Sequence, residues 1–247
     1  NLKRQIVERS VYGVDQNPLA TELAKLSLWL HTVAKGEPLS FLDHHLRTGD
    51  SLIGIDIDKM KTMPSGKELG GLFKSRLIQD LGNAVGHLSI IEDFTSESRD
   101  DIQEKKVEWK NIRGWVEKYK KAANVRLSSY FGNEVKDDEY WQVLESVGNN
   151  NIENVREESF FKKAQEIARE KSFFHWELEF PDVFREEDGK QKTDSGFDVL
   201  LGNPPYVSMS TAGTSETRDL LRKRYQSAEG KFDLYALFVE KSLNLIS

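Results

Sequence analysis

The residues best equipped for chemistry are Asn203-Pro204-Pro205-Tyr206, which follow the apolar run Phe197-Asp198-Val199-Leu200-Leu201 and Gly202. Consecutive prolines donate no backbone hydrogen bond and hold φ at about −65°, so this corner is stiff. The residue before the first proline is pushed to an extended conformation, which projects the Asn203 side chain outward. Asn203 Oδ1 and the Pro204 carbonyl can then accept from one amino group, with Tyr206 supplying an aromatic plane beside them. Such a site suits a planar base carrying an exocyclic amine. Two acceptors polarise the nitrogen lone pair toward an electrophile without a titrating general base. A proline-stiffened turn with a packed tyrosine would use the same residue types. The asparagine before it, the tyrosine after it and the apolar run leading in favour the chemical reading.

Those residues need a scaffold. The run 197–201 reads as a buried parallel strand, and ligands bind at the carboxyl ends of such strands. Near the start, Ser10-Val11-Tyr12-Gly13-Val14-Asp15 reads as a short strand ending in a carboxylate. Asn17 then acts as an N-cap and Pro18 as the first helical residue. Leu19, Leu23, Leu26, Leu30 and Val33 form one face of the helix after this cap, and Gly36 and Pro38 stop it. Leu46-Arg47-Thr48 is a second β-like piece running into the turn Gly49-Asp50-Ser51-Leu52. Strand, acidic turn, helix, strand, acidic turn is how an α/β domain begins.

From about residue 56 to 171 the character is helical and charged. Leu77, Leu81, Val85 and Leu88 make one apolar face; Trp109, Ile112, Val116 and Tyr119 make another. Residues 100–121 look like a solvated helical surface. The region reads as an insertion acting as a spacer or surface arm, with contact to DNA or a partner as the alternative. Beyond it, Phe174, Trp176, Leu178 and Phe180 alternate with polar residues, which predicts a half-buried strand closed by Pro181. A polar loop from Arg185 to Asp194 precedes the apolar run, and Ser208 to Ser215 reads as polar and flexible. The chain finishes in a helix-like segment from Lys231, with Tyr235, Phe238, Val239, Leu243 and Ile246 on its apolar side.

Composition narrows the class. The 247 residues hold 38% hydrophobics and no cysteine, which excludes disulfides, thiolate zinc sites and cysteine nucleophiles. No apolar run approaches the roughly 20 residues of a membrane span, and the first residues do not open a secretory signal. A cytoplasmic setting is expected. The net charge is −6, with 35 Lys and Arg against 41 Asp and Glu, a poor balance for gripping DNA with the whole surface. No metal site is expected: His44 and His45, read as adjacent strand residues, would point to opposite faces, and His175 is isolated.

The corner and its surroundings resemble the adenine-specific (N6) DNA methyltransferases of restriction-modification systems, in their type IIG-like branch. Residues 11–20 running into 22–30 look like the family's second motif and its helix, and Thr48-Gly49-Asp50-Ser51-Leu52 is similar to the third. Residues 174–184 resemble the segment before the catalytic strand. Lys231-Phe232-Asp233-Leu234-Tyr235-Ala236-Leu237-Phe238-Val239-Glu240-Lys241 resembles the helix after the catalytic loop. The resemblance implies an incomplete Rossmann-like (class I) methyltransferase sheet of α/β class. Residues 1–55 would be its cofactor side, 56–171 a helical insertion and 172–247 its catalytic-loop part.

The resemblance further implies S-adenosylmethionine as cofactor and double-stranded DNA as partner, with no membrane association. Asp15 would accept from the cofactor's ribose hydroxyls, Gln16 would flank its adenine, Asp50 would accept from its amino group, and Ser51 and Phe238 would line the same pocket. Asn203 and Pro204 would hold the target amine in the stiff corner that Pro205 completes. Tyr206 would stack on a base flipped out of the duplex. Bland alternatives stand beside several of these: a helix-start carboxylate for Asp15, a turn cap for Asp50, a core residue for Phe238.

The family's glycine-rich first motif should precede Asp15 and has no counterpart between residues 1 and 10. The expectation is therefore an internal piece of a larger enzyme, inactive alone, with the DNA-gripping surface and any nuclease activity in other regions. A local basic bias (Arg218, Arg222, Lys223, Arg224, Lys231) could meet phosphates or be a solvated helix face. The corner also serves enzymes that methylate RNA or protein glutamine. A non-catalytic scaffold retaining the fold is the reading from a different class.

Overall fold

Capping chemistry and apolar spacing start the elements where the residue types dictate. The computed structural model describes residues 2–32, 41–68, 71–93, 98–209 and 213–247. Helix α1 (Leu2–Ser10) leads into strand β1 (Gly13–Asp15) and helix α2 (Pro18–Thr32), so the expected strand begins three residues later, after a helical Ser10. Asn17 caps α2: its Oδ1 accepts the Leu19 N–H at 2.9 Å, and Pro18 has no N–H to leave unpaired. Val33, Gly36 and Pro38 lie outside the described residues. Strand β2 (Leu46–Thr48) pairs parallel with β1 in the register Gly13–Leu46, Val14–Arg47, Asp15–Thr48. The two strands therefore end level, and both acidic turns leave from one edge of the sheet.

The face of α2 that packs inward is not the leucine stripe. Leu19, Leu23, Leu26 and Leu30 are exposed, while Thr21 and Thr32 are buried. Thr21 Oγ1 lies 3.2 Å from Thr48 Oγ1, joining the helix to the end of β2. Ala24 and Leu28 continue this inner line at helical spacing, so α2 carries two apolar stripes. Periodicity alone cannot say which one meets the sheet.

The central region is helical: α3 (Ile57–Met60), α4 (Gly71–Asp93), α5 (Arg99–Ser128), α6 (Asp137–Gly148) and α7 (Ser159–Glu170). Ser98 opens α5 with a capping box, its hydroxyl accepting from Asp101 N at 3.0 Å while Asp101 accepts from Ser98 N at 3.1 Å; this satisfies two donors that helix geometry orphans. Leu77, Leu81, Val85 and Leu88 are buried, as are Ile112, Val116 and Tyr119. These helices share one core with Phe41, Ile55, Ile57 and Leu178. A segment with that much common core is packed into the domain rather than extended from it as an arm. Lys105, on the face expected to be solvated, is 2% exposed and pairs with Glu8 of α1 at 3.8 Å.

Residues 174–180 do not form the expected strand. Strand-like pairing ends just before them, where Phe173 bridges Asp50 in parallel sense; the Phe174 N–H then reaches the Ile53 carbonyl at 2.8 Å. The chain then turns into α8 (Trp176–Glu179) and α9 (Pro181–Phe184). A period-two alternation over seven residues also places Phe174 with Leu178, and Trp176 with Phe180, one helical turn apart. The pattern fits either element, and Pro181 serves as a helix start instead of a strand stop. The apolar run 197–201 is likewise not a buried strand: Phe197 bridges Ile246, but Val199 is 69% and Leu201 93% exposed. A buried parallel strand requires strands beside it and helices on both faces. Among the described residues, β1 and β2 do not extend to it. Helices α10 (Ser215–Arg224) and α11 (Leu234–Leu243) complete the chain. Leu237 is the buried residue of α11, while Tyr235, Val239, Leu243 and Ile246 are exposed.

Candidate active site

Asp15 ends β1 with its side chain exposed, and Oδ1 accepts the Asn17 N–H at 2.7 Å. Its backbone carbonyl accepts from Gly49 N at 2.9 Å, which brings the second acidic turn alongside. Asp50 accepts from Leu52 N at 3.0 Å through Oδ1, and its own N–H reaches the Ser172 carbonyl at 2.7 Å. Burial pushes the Asp50 carboxyl above its ordinary value, and the backbone donors of Leu52 and Ile53 oppose this. Gln16 Nε2 approaches Asp50 Oδ2 at 3.5 Å. Ser51 is held through its carbonyl, which accepts from Trp176 Nε1 at 2.9 Å. The two carboxylates, Gln16 and Ser51 thus gather at one sheet edge.

The Asn203–Tyr206 corner is held by the residues just beyond Tyr206. Leu234 N donates to the Val207 carbonyl at 3.0 Å, Met209 N donates to the Phe232 carbonyl at 3.1 Å, and Ser208 bridges Asp233 in antiparallel sense. Met209 is buried in one apolar cluster with Leu52, Ile53 and Leu237, and Phe238 packs against that cluster. Three residues past Tyr206 and two past Asp50, the chain therefore converges on the same core. Tyr225 reinforces it by donating its hydroxyl to the Leu52 carbonyl at 3.1 Å. The corner itself faces outward: Asn203 and Pro205 are exposed, Pro204 is half-buried, and Tyr206 is 79% exposed.

Several polar partners were not legible in the sequence. Asp56 lies 3.5 Å from Arg224 and 3.9 Å from Lys241, so Arg224 is committed to a carboxylate rather than free for a phosphate. His44 and His45 sit in a turn, not a strand; both are buried and their rings lie 4.0 Å apart. Ligand-type atoms of His45, Glu92 and Asp182 fall within 4.8 Å of one another, and Tyr12 donates its hydroxyl to Asp182 there. These residues are distant in sequence, and no local pattern announces their meeting.

Residues 9–247 match the Eco57I restriction-modification methylase family. The chain belongs to that family. A Methanocaldococcus jannaschii protein described as a type II restriction enzyme and methyltransferase, RM.MjaORFECS2P, is 25% identical over 274 residues, covering 99% of this chain and 21% of its own length. The Escherichia coli type II restriction enzyme and methyltransferase RM.Eco57I is 38% identical over 56 residues, 22% of this chain and 6% of the relative. The Thermus thermophilus type II methyltransferase M.TthHB8I is 38% identical over 56 residues, 20% of this chain and 13% of the relative. No solved structure matches. The chain spans about a fifth or less of the length of these relatives.

Proposed function

We propose that this chain carries the cofactor edge and the target corner of an enzyme that methylates the N6 amine of adenine in double-stranded DNA, using S-adenosylmethionine. The observation that carries the reading is the anchoring of the exposed Asn203–Tyr206 corner and the Asp50 turn in one apolar cluster. The donor set fits the adenosine half of the cofactor: an exposed carboxylate (Asp15) suits a ribose diol, and a half-buried one (Asp50) with Gln16 and Ser51 beside it suits an amino group. Phe238 supplies an apolar wall. When bound, S-adenosylmethionine supplies a methyl group on a sulfonium centre.

The chain's own part is to hold the acceptor nitrogen. Asn203 Oδ1 and the Pro204 carbonyl take the two amine hydrogens, which draws the lone pair out of conjugation with the ring. Pro205 keeps both oxygens in place, and the Tyr206 ring stacks on the flipped base, contributing roughly 1–3 kcal/mol toward the unstacking cost. In this reading β1 and β2 belong to a Rossmann-like domain built from residues 1–55 and 172–247, to which the second part contributes helices and isolated bridges, with 56–171 inserted. DNA contacts, and any cleavage, belong mainly to other regions of the polypeptide, which works in the cytoplasm.

The test is Asn203→Ala in the full-length polypeptide, assayed with labelled cofactor against DNA, RNA and protein. Methyl transfer to DNA should vanish while cofactor affinity stays within about twofold. Loss of cofactor binding instead, or wild-type transfer confined to RNA or to protein glutamine, would overturn the assignment.

A further inference from the structure

Tyr206 has an aromatic neighbour that the spacing of the last helix assigned to a packed face. Tyr235, at the second position of α11, is 44% exposed, and its ring centroid lies 6.0 Å from that of Tyr206 with the planes inclined by 33°. Among the described ring pairs, this is the one in which both members are exposed. The other pairs have at least one ring buried or half-buried. The geometry is set by backbone, since the Leu234 N–H to Val207 carbonyl bond (3.0 Å) joins the residues immediately beside the two tyrosines. The Ser208–Asp233 bridge fixes the next step of the same pairing. The separation lies within the roughly 4.5–7 Å range of interacting rings, so the pair is ordered before any ligand arrives and little ordering cost remains.

We propose that Tyr235 and Tyr206 together form a two-ring platform for the target base, with Tyr235 a binding residue that sets how the purine lies against the Asn203 acceptors. This rests on the proposed role of Tyr206 in meeting the target base. A single exposed ring offers one face to an extrahelical purine, and the base remains free to slide on it. A second ring tilted beside the first adds surface along one side and limits that slide. The ligand class is a flat heteroaromatic base, held without regard to its hydrogen-bonding edge, which the Asn203 and Pro204 oxygens read.

The test uses the full-length protein with two duplexes. Unmodified DNA serves for methyl-transfer kinetics, and the same DNA with 2-aminopurine, which has no N6 amine to methylate, in place of the target adenine serves for emission. The target position is read by sequencing modified DNA. Tyr235→Ala should raise KM for DNA about tenfold, with a smaller change in kcat, and should leave bound 2-aminopurine brighter because less of it is stacked. Tyr235→Phe should restore both readouts, since the ring face is what matters. Tyr235→Leu keeps the bulk but not the ring and should behave like Tyr235→Ala. If Tyr235→Leu matches the wild type in KM and in emission while Tyr206→Ala impairs both, the platform is wrong and the Tyr206 assignment stands. If Tyr206→Ala also changes neither, the underlying reading of the corner fails.

Discussion

Glu179, in the short helix α8, uses its charge to join separate parts of the fold. It accepts from Arg47 Nε at 2.9 Å and from Lys120 Nζ at 2.7 Å, and its side chain is 10% exposed. Arg47 comes from β2 and Lys120 from α5, so one carboxylate ties the sheet to the central helices. Burial alone would raise its pKa, but Lys120 and Arg47 overcome that and bring it down to about 2 from 4.5. The folded-state value lies below the unfolded one, so the carboxylate stabilises the fold fully above about pH 4.5, and the contribution fades as pH falls toward 2. That lowering corresponds to about 3 kcal/mol at pH 7, falling to about 1.5 kcal/mol near pH 3. Glu179→Gln mimics the protonated acid and keeps the shape. Urea unfolding of wild type and variant across pH 3–7 should show a stability gap that narrows by about half over that range. A gap below about 1 kcal/mol at pH 7, or one independent of pH, would refute the claim that the ionised carboxylate holds these elements together.

Gly54→Ala tests the packing behind the acidic turn. A Cβ there would sit 1.8 Å from the Phe174 carbonyl oxygen, a backbone atom with no freedom to swing away. The expected cost is about 3 kcal/mol, or a Tm lower by about 6–12 °C; an unchanged melting curve would mean that the turn and Phe174 are not this close. Asp50→Asn should weaken cofactor affinity by roughly 10–100-fold, the range for a hydrogen bond to a charged group. Because burial raises the Asp50 pKa, wild-type affinity measured by calorimetry should start to fall at a higher pH than an ordinary aspartate would dictate. The Asp50→Asn variant should lack that limb, and a limb surviving in it would assign the titration elsewhere.

The features legible in the sequence were local. Leu46-Arg47-Thr48 forms β2 at the residues expected, and Asn17-Pro18 starts α2, because capping and strand–turn chemistry act over a few neighbours. The burial of Leu77 and Leu81 in α4, and of Ile112 and Val116 in α5, came from 3.6-residue spacing. The errors arose where two structures satisfy one pattern. Phe174 with Leu178 and Trp176 with Phe180 fit helical spacing as well as strand alternation, and the chain leaves its bridge to Asp50 at Phe173 and turns into α8. The leucines of α2 share one helical face by their spacing, which does not say whether that face meets the core, and in the fold it is exposed. Thr21 nevertheless lies inward, with its hydroxyl paired to Thr48. The acids and the corner are candidates by residue type, whereas their shared anchor in Leu52, Ile53 and Met209 depends on tertiary packing that no local motif encodes.

The same long-range packing changes what the central helices do. His175 Nδ1 accepts the Ile55 N–H at 3.0 Å, so its Nε2 carries the proton and donates to Asn124 Oδ1 at 2.9 Å. Asn124 Nδ2 donates in turn to Gln165 Oε1 at 2.8 Å, and Gln165 Nε2 to the Lys121 carbonyl at 3.1 Å. Burial pushes the His175 pKa down to about 3, so the ring stays neutral across physiological pH, and only the neutral ring can accept from Ile55 and donate to Asn124 at once. The chain of bonds begins four residues past Ser51 and ends between α5 and α7. A helical segment that merely decorated the surface would have no reason to hold that turn with a buried, fully satisfied histidine. The helices of 56–171 instead set the position of the turn after Asp50, and through Tyr225 and the Met209 cluster they bear on the corner as well. The central region is thus part of the scaffold that aligns the two halves of the proposed site.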